Sequence, residues 1–140
     1  MKIRVKFLYM MSFALIFLSA NVFASASEEK EKKVPVPKLI PLDLGAKEYM
    51  RILGGPPETV TVHSGLVVLD PGKSVGKHNT KNYEEVLVIL EGAGEMTFTD
   101  GPTLQLKAGS VAYCPPRTEH DVLCTGSATL KYVYIVANAE

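Results

Sequence analysis

Turn-forming residues divide the chain from Ile52 onward into short, regularly spaced segments. The turns are rich in glycine and proline, as in Gly54-Gly55-Pro56-Pro57, Asp70-Pro71-Gly72 and Asp100-Gly101-Pro102. Between them lie runs of β-branched and apolar residues, and no run after residue 26 has a sustained helical period. The pattern predicts an all-β sandwich or barrel and leaves no room for the crossover helices of a parallel sheet. The predicted strands are residues 59–62, 65–69, 85–90, 95–99, 103–106, 111–114, 120–124 and 128–137.

The first 26 residues have the pattern of a secretory signal peptide. Basic residues precede an uncharged run over residues 7–18, and the small residues that follow allow cleavage after Ala24 or Ala26. The apolar run is shorter than the roughly 20 residues that a membrane-spanning helix needs; a retained anchor is the alternative. We therefore expect an exported protein, periplasmic or extracellular, without membrane attachment after cleavage.

The rest of the chain divides into a lead-in and one domain. Residues 27–51 begin with a charged, proline-alternating stretch that cannot bury apolar area, which predicts a tether. Residues 52–140 form the predicted β-domain. The chain has 15 basic and 15 acidic residues, and three of the basic ones lie in the signal peptide, so the mature chain carries 12 − 15 = −3. This mild acidity, without a basic patch, argues against a nucleic-acid partner.

Two histidines and a glutamate lie at strand entrances next to predicted turns: His78, Glu85 and His120. If a barrel brings them to one face, two imidazoles and one carboxylate form a ligand set that suits Fe, Mn or Zn. We therefore predict a divalent metal site at these three residues. Glu84 points to the opposite face of the same predicted strand, because side chains alternate along a strand, and we expect it to be solvated.

Two segments that contain these residues resemble the two motifs of the cupin family. Gly72-x5-His78-x-Thr80-x4-Glu85-x6-Gly92 is similar to the first motif, whose usual form is G-x5-HxH-x3,4-E-x6-G. Gly109-x5-Pro115-x-Arg117-x2-His120-x3-Cys124 is similar to the second, usually G-x5-PxG-x2-H-x3-N. The resemblance covers roughly residues 52–137. It implies a small jelly-roll β-barrel in which the histidines and the glutamate of the motifs bind one metal ion.

Three positions depart from the family's pattern. Thr80 stands where a second histidine is usual, Arg117 where a turn glycine is usual, and Cys124 where asparagine is usual. The resemblance therefore carries over three ligands and leaves the fourth position, Thr80, open, because a neutral hydroxyl is a poor ligand beside imidazole. Two histidines and one carboxylate still resemble the facial ligand set of non-haem iron enzymes. A site that has lost its metal is the alternative.

Two functions remain open. The first is a metal-dependent protein that binds or acts on a small molecule, and for an enzyme the resemblance implies a dioxygenase, isomerase or decarboxylase. The second is a metal-free barrel that binds a small molecule or a partner without catalysis. No catalytic acid or base is predicted. The resemblance also implies a homodimer, with the apolar last strand, residues 130–136, pairing across the interface.

The two cysteines, Cys114 and Cys124, have a separate expectation. Export permits a disulfide, which requires Cα atoms within roughly 7 Å of each other. The resemblance places the strands on either side of the Pro115 turn in opposite sheets, so we expect no bridge. Cys124 is predicted to be a small buried hydrophobic residue.

Overall fold

The computed structural model describes residues 34–140, which form nine strands. The predicted signal peptide and residues 27–33 of the predicted tether lie outside the described residues. No helix in residues 34–140 has the length and apolarity needed to span a bilayer. The strands are β1 (Met50–Gly54), β2 (His63–Leu69), β3 (His78–Asn79), β4 (Tyr83–Glu91), β5 (Ala93–Phe98), β6 (Leu104–Lys107), β7 (Val111–Cys114), β8 (Glu119–Cys124) and β9 (Leu130–Asn138).

The prediction of an all-β chain is confirmed for the described residues, with local differences. The strand predicted at residues 59–62 is absent from the structure. Local hydrogen bonds hold this segment in turns instead. The Thr59 hydroxyl donates to the Val62 carbonyl (2.6 Å), and the Thr59 amide donates to the Gly55 carbonyl (3.2 Å). β1 and β3 were not assigned from the sequence, and β1 begins inside the segment that was predicted as lead-in.

The strands form two antiparallel sheets. One has five strands in the order β1-β2-β9-β4-β7, and the other has four in the order β3-β8-β5-β6. β9 lies between β2 and β4, and its backbone is paired on both sides. The prediction that residues 130–136 pair with a second copy across a dimer interface is therefore wrong, because a strand that is paired on both sides has no free edge. A homodimer itself stays a prediction.

The core lies between the two sheets and follows from the alternation of side chains along the strands. On β4, Glu85, Leu87 and Ile89 are buried while the residues between them are more exposed. Burial of this kind contributes about 25 cal/mol for each Å² of apolar surface removed from water. The core residues are Leu69, Leu87, Ile89, Met96, Leu106, Ala112, Cys114, Val122, Cys124, Leu130 and Tyr132. Two of the buried positions near this core are polar, Glu85 and His120, and they mark the site described next.

The lead-in before β1 is irregular and is held to the barrel by polar contacts. The buried Lys131 of β9 donates to the Leu44 carbonyl and forms an ion pair with Glu91 (3.1 Å). Near the start of β1, the Tyr49 and Tyr134 hydroxyls are 3.0 Å apart and their rings are stacked. The lead-in is therefore in contact with β9 at Lys131 and Tyr134.

Candidate metal centre

The two predicted histidine ligands lie opposite each other on neighbouring strands. His78 of β3 and His120 of β8 are direct partners in the antiparallel register, so their side chains leave the sheet on the same face. Their ring centroids are 4.3 Å apart. The preceding segment follows β8 through the bonds from the Gly72 amide to the Cys124 carbonyl and from the Val75 amide to the Val122 carbonyl. The first motif therefore positions His78 against the second motif.

Glu85 reaches the same place from the opposite sheet. It lies near the start of β4, in register with Cys114 of β7 and Val136 of β9, and its side chain is buried. The ligand atoms of His78, Glu85 and His120 all lie within 4.8 Å of one another. A metal-bound imidazole nitrogen or carboxylate oxygen lies about 2.0–2.2 Å from its ion. Small side-chain movements would therefore let the three residues share one ion.

The His120 ring has one nitrogen engaged with the protein and one free. Nδ1 lies 3.4 Å from Cys114 Sγ and 3.5 Å from the Thr118 carbonyl oxygen. Nε2 is 3.0 Å from Glu85 Oε2, yet the ring orientation leaves it buried without a hydrogen bond. A hydrogen bond weakens steeply when it is bent, so the 3.0 Å approach of Glu85 does not satisfy Nε2. A buried, unpaired Nε2 beside a carboxylate fits the donor set of a metal site.

His78 is exposed, but like His120 it has Nδ1 in contact with the protein and Nε2 free. Its Nδ1 lies 2.9 Å from the Gly76 carbonyl oxygen, which can only accept a hydrogen bond. The Nδ1 proton is assigned by this contact, and it leaves the Nε2 lone pair available to a ligand. A backbone carbonyl that fixes the tautomer in this manner is usual for metal-binding histidines.

Thr80, at the usual fourth ligand position, joins the two motifs to each other. Its hydroxyl donates to the Pro115 carbonyl (2.9 Å) and accepts from the Thr118 amide (2.9 Å). The Thr80 amide also donates to the Thr118 carbonyl (3.1 Å). The hydroxyl proton and one lone pair are therefore used by the β7–β8 turn. We call this set of three hydrogen bonds the Thr80 clasp.

Arg117, at the usual glycine position of the second motif, has a left-handed backbone. Its φ is +59°, a conformation that glycine adopts without a steric penalty and other residues rarely adopt. The Arg117 amide donates to the carbonyl of Lys81 (2.7 Å), which also has a positive φ, +53°. The Arg117 side chain is exposed and forms an ion pair with Glu140. The backbone thus keeps the shape that the family's glycine would give.

A cavity of about 410 Å³ opens beside the three predicted ligands. Tyr132 and Tyr134 of β9 line it together with valines from both sheets. Burial, followed by the nearby Glu85 carboxylate, raises the pKa of Tyr132, so its phenol stays protonated. A larger groove of about 790 Å³ lies elsewhere, lined by Phe98, Tyr113 and Arg117 among others; the three ligands do not line it.

Cys114 is a residue of the site that the sequence did not indicate. It is fully buried, and its Sγ is the closest protein atom to His120 Nδ1 among the contacts above. Burial, and then the Glu85 carboxylate, raises the pKa of the thiol to about 11. The group is therefore a neutral thiol at pH 7. Spacing could not reveal it, because the contact is made by the turn that brings β7 and β8 together.

We expect Cys114→Ala to weaken metal binding by roughly tenfold and Cys114→Ser to keep most of the wild-type affinity. Loss of an outer partner of a ligating histidine typically costs 10–100-fold in metal affinity, and the Thr118 carbonyl retains part of the contact here. A serine hydroxyl can accept from Nδ1, whereas alanine cannot. Competition with a chromophoric chelator measures the affinities, and equal values for all three proteins would contradict the role assigned to the thiol.

Glu84, Cys124 and His63 are not part of this site. Glu84 is exposed and accepts a hydrogen bond from Tyr113 (3.2 Å), which confirms that it faces away from Glu85. Cys114 and Cys124 are both free and buried, and they lie in strands of different sheets, as the resemblance implied. Cys124 Sγ lies 3.3 Å from the Ala128 carbonyl. His63, outside both motifs, begins β2 and packs edge-on against Tyr83.

Comparisons with known proteins agree with this architecture. The family model described as "Cupin domain" matches residues 65–136, just over half of the chain. A segment of 55 residues is 42% identical to an uncharacterized protein of Methanocaldococcus jannaschii. That segment is 39% of this chain and 42% of the relative, so the match spans less than half of that relative's length.

Solved structures of the same fold are also similar. A Cupin 2 conserved barrel domain protein from Salinispora arenicola superposes with a TM-score of 0.60 at 23% identity, over 74% of this chain and 91% of that one. An RmlC-like cupin family protein with a double-stranded β-helix fold, from Methanocaldococcus jannaschii, gives 0.62 at 22% identity, over 74% and 93%. At this identity the likeness concerns the fold, and it confirms the predicted jelly-roll barrel.

Proposed function

Because the chain belongs to the cupin family, we propose that it binds one divalent metal ion through His78, Glu85 and His120 and acts on a small molecule in the adjoining cavity. The observation that carries the proposal is the buried His120 Nε2, which has no hydrogen bond although Glu85 lies 3.0 Å away. An unpaired polar atom in a protein interior costs about 1–3 kcal/mol. A metal ion bound to this nitrogen would remove that cost.

The surroundings of the ligands support a role on small molecules. An ion in this position would supply Lewis-acid polarisation or redox chemistry to a molecule beside it. The protein contributes a cavity of about 410 Å³, within the range of roughly 300–1,000 Å³ that is usual for small-molecule sites. The ring of Tyr132 forms part of the wall. The dioxygenase, isomerase and decarboxylase classes all remain compatible with such a site.

The metal content of the purified protein tests the proposal. We expect close to one ion of Fe, Mn or Zn for each chain in wild-type protein purified without added metal or chelator, measured by mass spectrometry. Glu85→Gln removes the anionic ligand with little change of shape and is expected to leave less than about a tenth of that content. Glu84→Gln is the matched control, because Glu84 is the same residue type on the opposite face of β4.

Two outcomes would contradict the metal site. One is wild-type protein that holds no ion and takes up none of the three after separate incubation with each. The other is equal metal content in the Glu85→Gln and Glu84→Gln variants, which would place the ion elsewhere. In the first case the second function applies, a metal-free binding barrel. The observation that favours it is the Thr80 clasp, which uses the usual fourth ligand position for hydrogen bonds.

Export is part of the proposal and rests on the pattern of residues 1–26. When the full chain is expressed in a bacterium, we expect the protein recovered from the periplasm or medium to begin after Ala24 or Ala26. Intact mass measurement of the purified protein determines the new N-terminus. Full-length protein recovered with the membranes would instead support a retained anchor.

A further inference from the structure

The cavity beside the metal ligands has a wall that is mainly apolar. Val67 of β2, Val122 of β8 and Val136 of β9 line it, and Val75 extends the wall toward solvent. The ring of Tyr132, which is almost completely buried, completes one side. The apolar surface comes from both sheets and surrounds the position of a molecule that approaches the ligands. Such a wall favours a ligand with a hydrocarbon body.

Several polar side chains in the same wall already have protein partners. The Thr80 hydroxyl is held by the clasp, and the Tyr134 hydroxyl lies 3.0 Å from that of Tyr49. Asn79 Oδ1 accepts from the Lys81 amide (2.8 Å). The valines of the wall offer no hydrogen bonds, so a sugar or polyol that lies against them would lose its hydrogen bonds to water without replacement. A buried polar group without a partner is costly, so the wall disfavours polyhydroxylated ligands.

The charges at the cavity favour a negatively charged group on the ligand. Lys81 lines the cavity and is exposed, and within residues 34–140 its side chain takes part in no ion pair. Glu85 is the carboxylate of the lining, and in the proposed site its charge is directed at the metal ion. A divalent ion and one lysine together outweigh that single negative charge. The net charge of the lining, with an ion bound at the proposed site, therefore attracts an anionic group into the cavity.

We infer that the cavity takes a small carboxylate with a hydrocarbon body, its carboxylate toward Lys81 and the metal ligands and its body against the valines and Tyr132. The preference for the negative charge rests on the proposed metal site. The preference for the hydrocarbon body rests on the wall alone. The two preferences can therefore be tested separately.

Three probe molecules test the preference for a hydrocarbon body and the preference for a negative charge independently. Cyclohexenecarboxylate has both features, shikimate has the same carboxylate ring with three added hydroxyls, and cyclohexenylmethanol has the same ring without the charge. Binding to the metal-loaded purified protein, whose metal content is measured first, is followed by ligand-observed NMR. We expect cyclohexenecarboxylate to bind at least roughly tenfold more tightly than either of the others, as for one mismatched group in a specific pocket.

Variants of the wall locate the binding. Val67→Thr adds a hydroxyl inside the cavity with little change of shape, and we expect it to weaken cyclohexenecarboxylate binding at least about threefold. Val68→Thr is the matched control on the same strand, because Val68 does not line this cavity, and we expect no change. Lys81→Gln should reduce the advantage of the carboxylate over the alcohol. Melting temperatures verify that the variants are folded.

The outcomes distinguish this inference from the proposed function. Shikimate binding as tightly as cyclohexenecarboxylate would overturn the inference, with or without metal. Equal effects of Val67→Thr and Val68→Thr would overturn it as well, because the ligand would not lie against this wall. If the protein holds no metal, the proposed function fails. The comparison of cyclohexenecarboxylate with shikimate on the metal-free protein then still tests the hydrocarbon body.

Discussion

Saturation of the proposed site with a divalent ion is expected to raise the free energy of unfolding of the wild-type protein by about 4 kcal/mol when the free ion is 1,000 times its Kd. A ligand that binds only the folded state stabilises it by mass action, and the three ligands meet only when the two sheets are assembled. For a domain of this size the gain corresponds to a rise in Tm of more than about 10 °C. Removal of the ion with a chelator should reverse it.

His78→Ala is the variant that tests this stabilisation most cleanly. His78 is exposed, so its removal should change the stability of the metal-free protein by no more than about 0.5 kcal/mol. Loss of an outer partner already costs up to about 100-fold in metal affinity, and loss of a ligand should cost at least that. In this variant, the increase in the free energy of unfolding on addition of the ion should therefore fall to about 1.4 kcal/mol or less at the same ion concentration.

Chemical denaturation with and without the ion measures both quantities. Glu84→Gln is again the control and should show the full gain. An undiminished gain in His78→Ala would mean that the ion stabilises the protein from another place. His120→Ala is less informative, because His120 is buried and its ring packs near Phe98, so its loss disturbs the core as well.

Gly92→Ala is expected to destabilise the protein by about 2 to 6 kcal/mol, the sum of backbone strain and overpacking. Gly92 joins β4 to β5 with φ +76°. A Cβ at this position would overlap the Thr129 carbonyl oxygen and approach Leu130 Cα to 2.9 Å. These atoms are backbone at the start of β9, the central strand of its sheet, and they cannot move as a side-chain tip would.

Gly72→Ala separates the two contributions. Gly72 has nearly the same φ, +77°, but a Cβ there has no atom within 4 Å. Its replacement should cost only the backbone strain, about 1–3 kcal/mol. Urea denaturation of the two variants provides the comparison. Equal costs would mean that the chain after Gly126 relaxes to accommodate the new methyl group at position 92.

Much of the fold could be predicted because glycine and proline mark the turns and the runs between them alternate. Leu87 and Ile89 are buried as the alternation requires, and the limits of β7 are those predicted. β3 was missed because a strand of two residues is too short to show a period. The central place of β9 could not be predicted either, since the order of strands in a sheet depends on contacts between distant parts of the chain.

The candidate site could likewise be predicted only in part. The spacing of His78, Glu85 and His120 relative to the motif glycines indicated the ligand set, and the structure brings the three together. The roles of Thr80 and Cys114 could not be predicted. Both depend on contacts across the β7–β8 turn, from Thr80 to Pro115 and from Cys114 to His120, which no local pattern records.

The Thr80 clasp has a consequence for how the protein responds to its environment. It connects the loop that carries His78 directly to the turn that precedes His120, through bonds that involve no ion. At the proposed metal site, these bonds would hold the two segments together with or without an ion. Metal scarcity would then empty the site without loosening it. A protein with such a site would stay assembled where metal is scarce and would bind an ion again without refolding the loop.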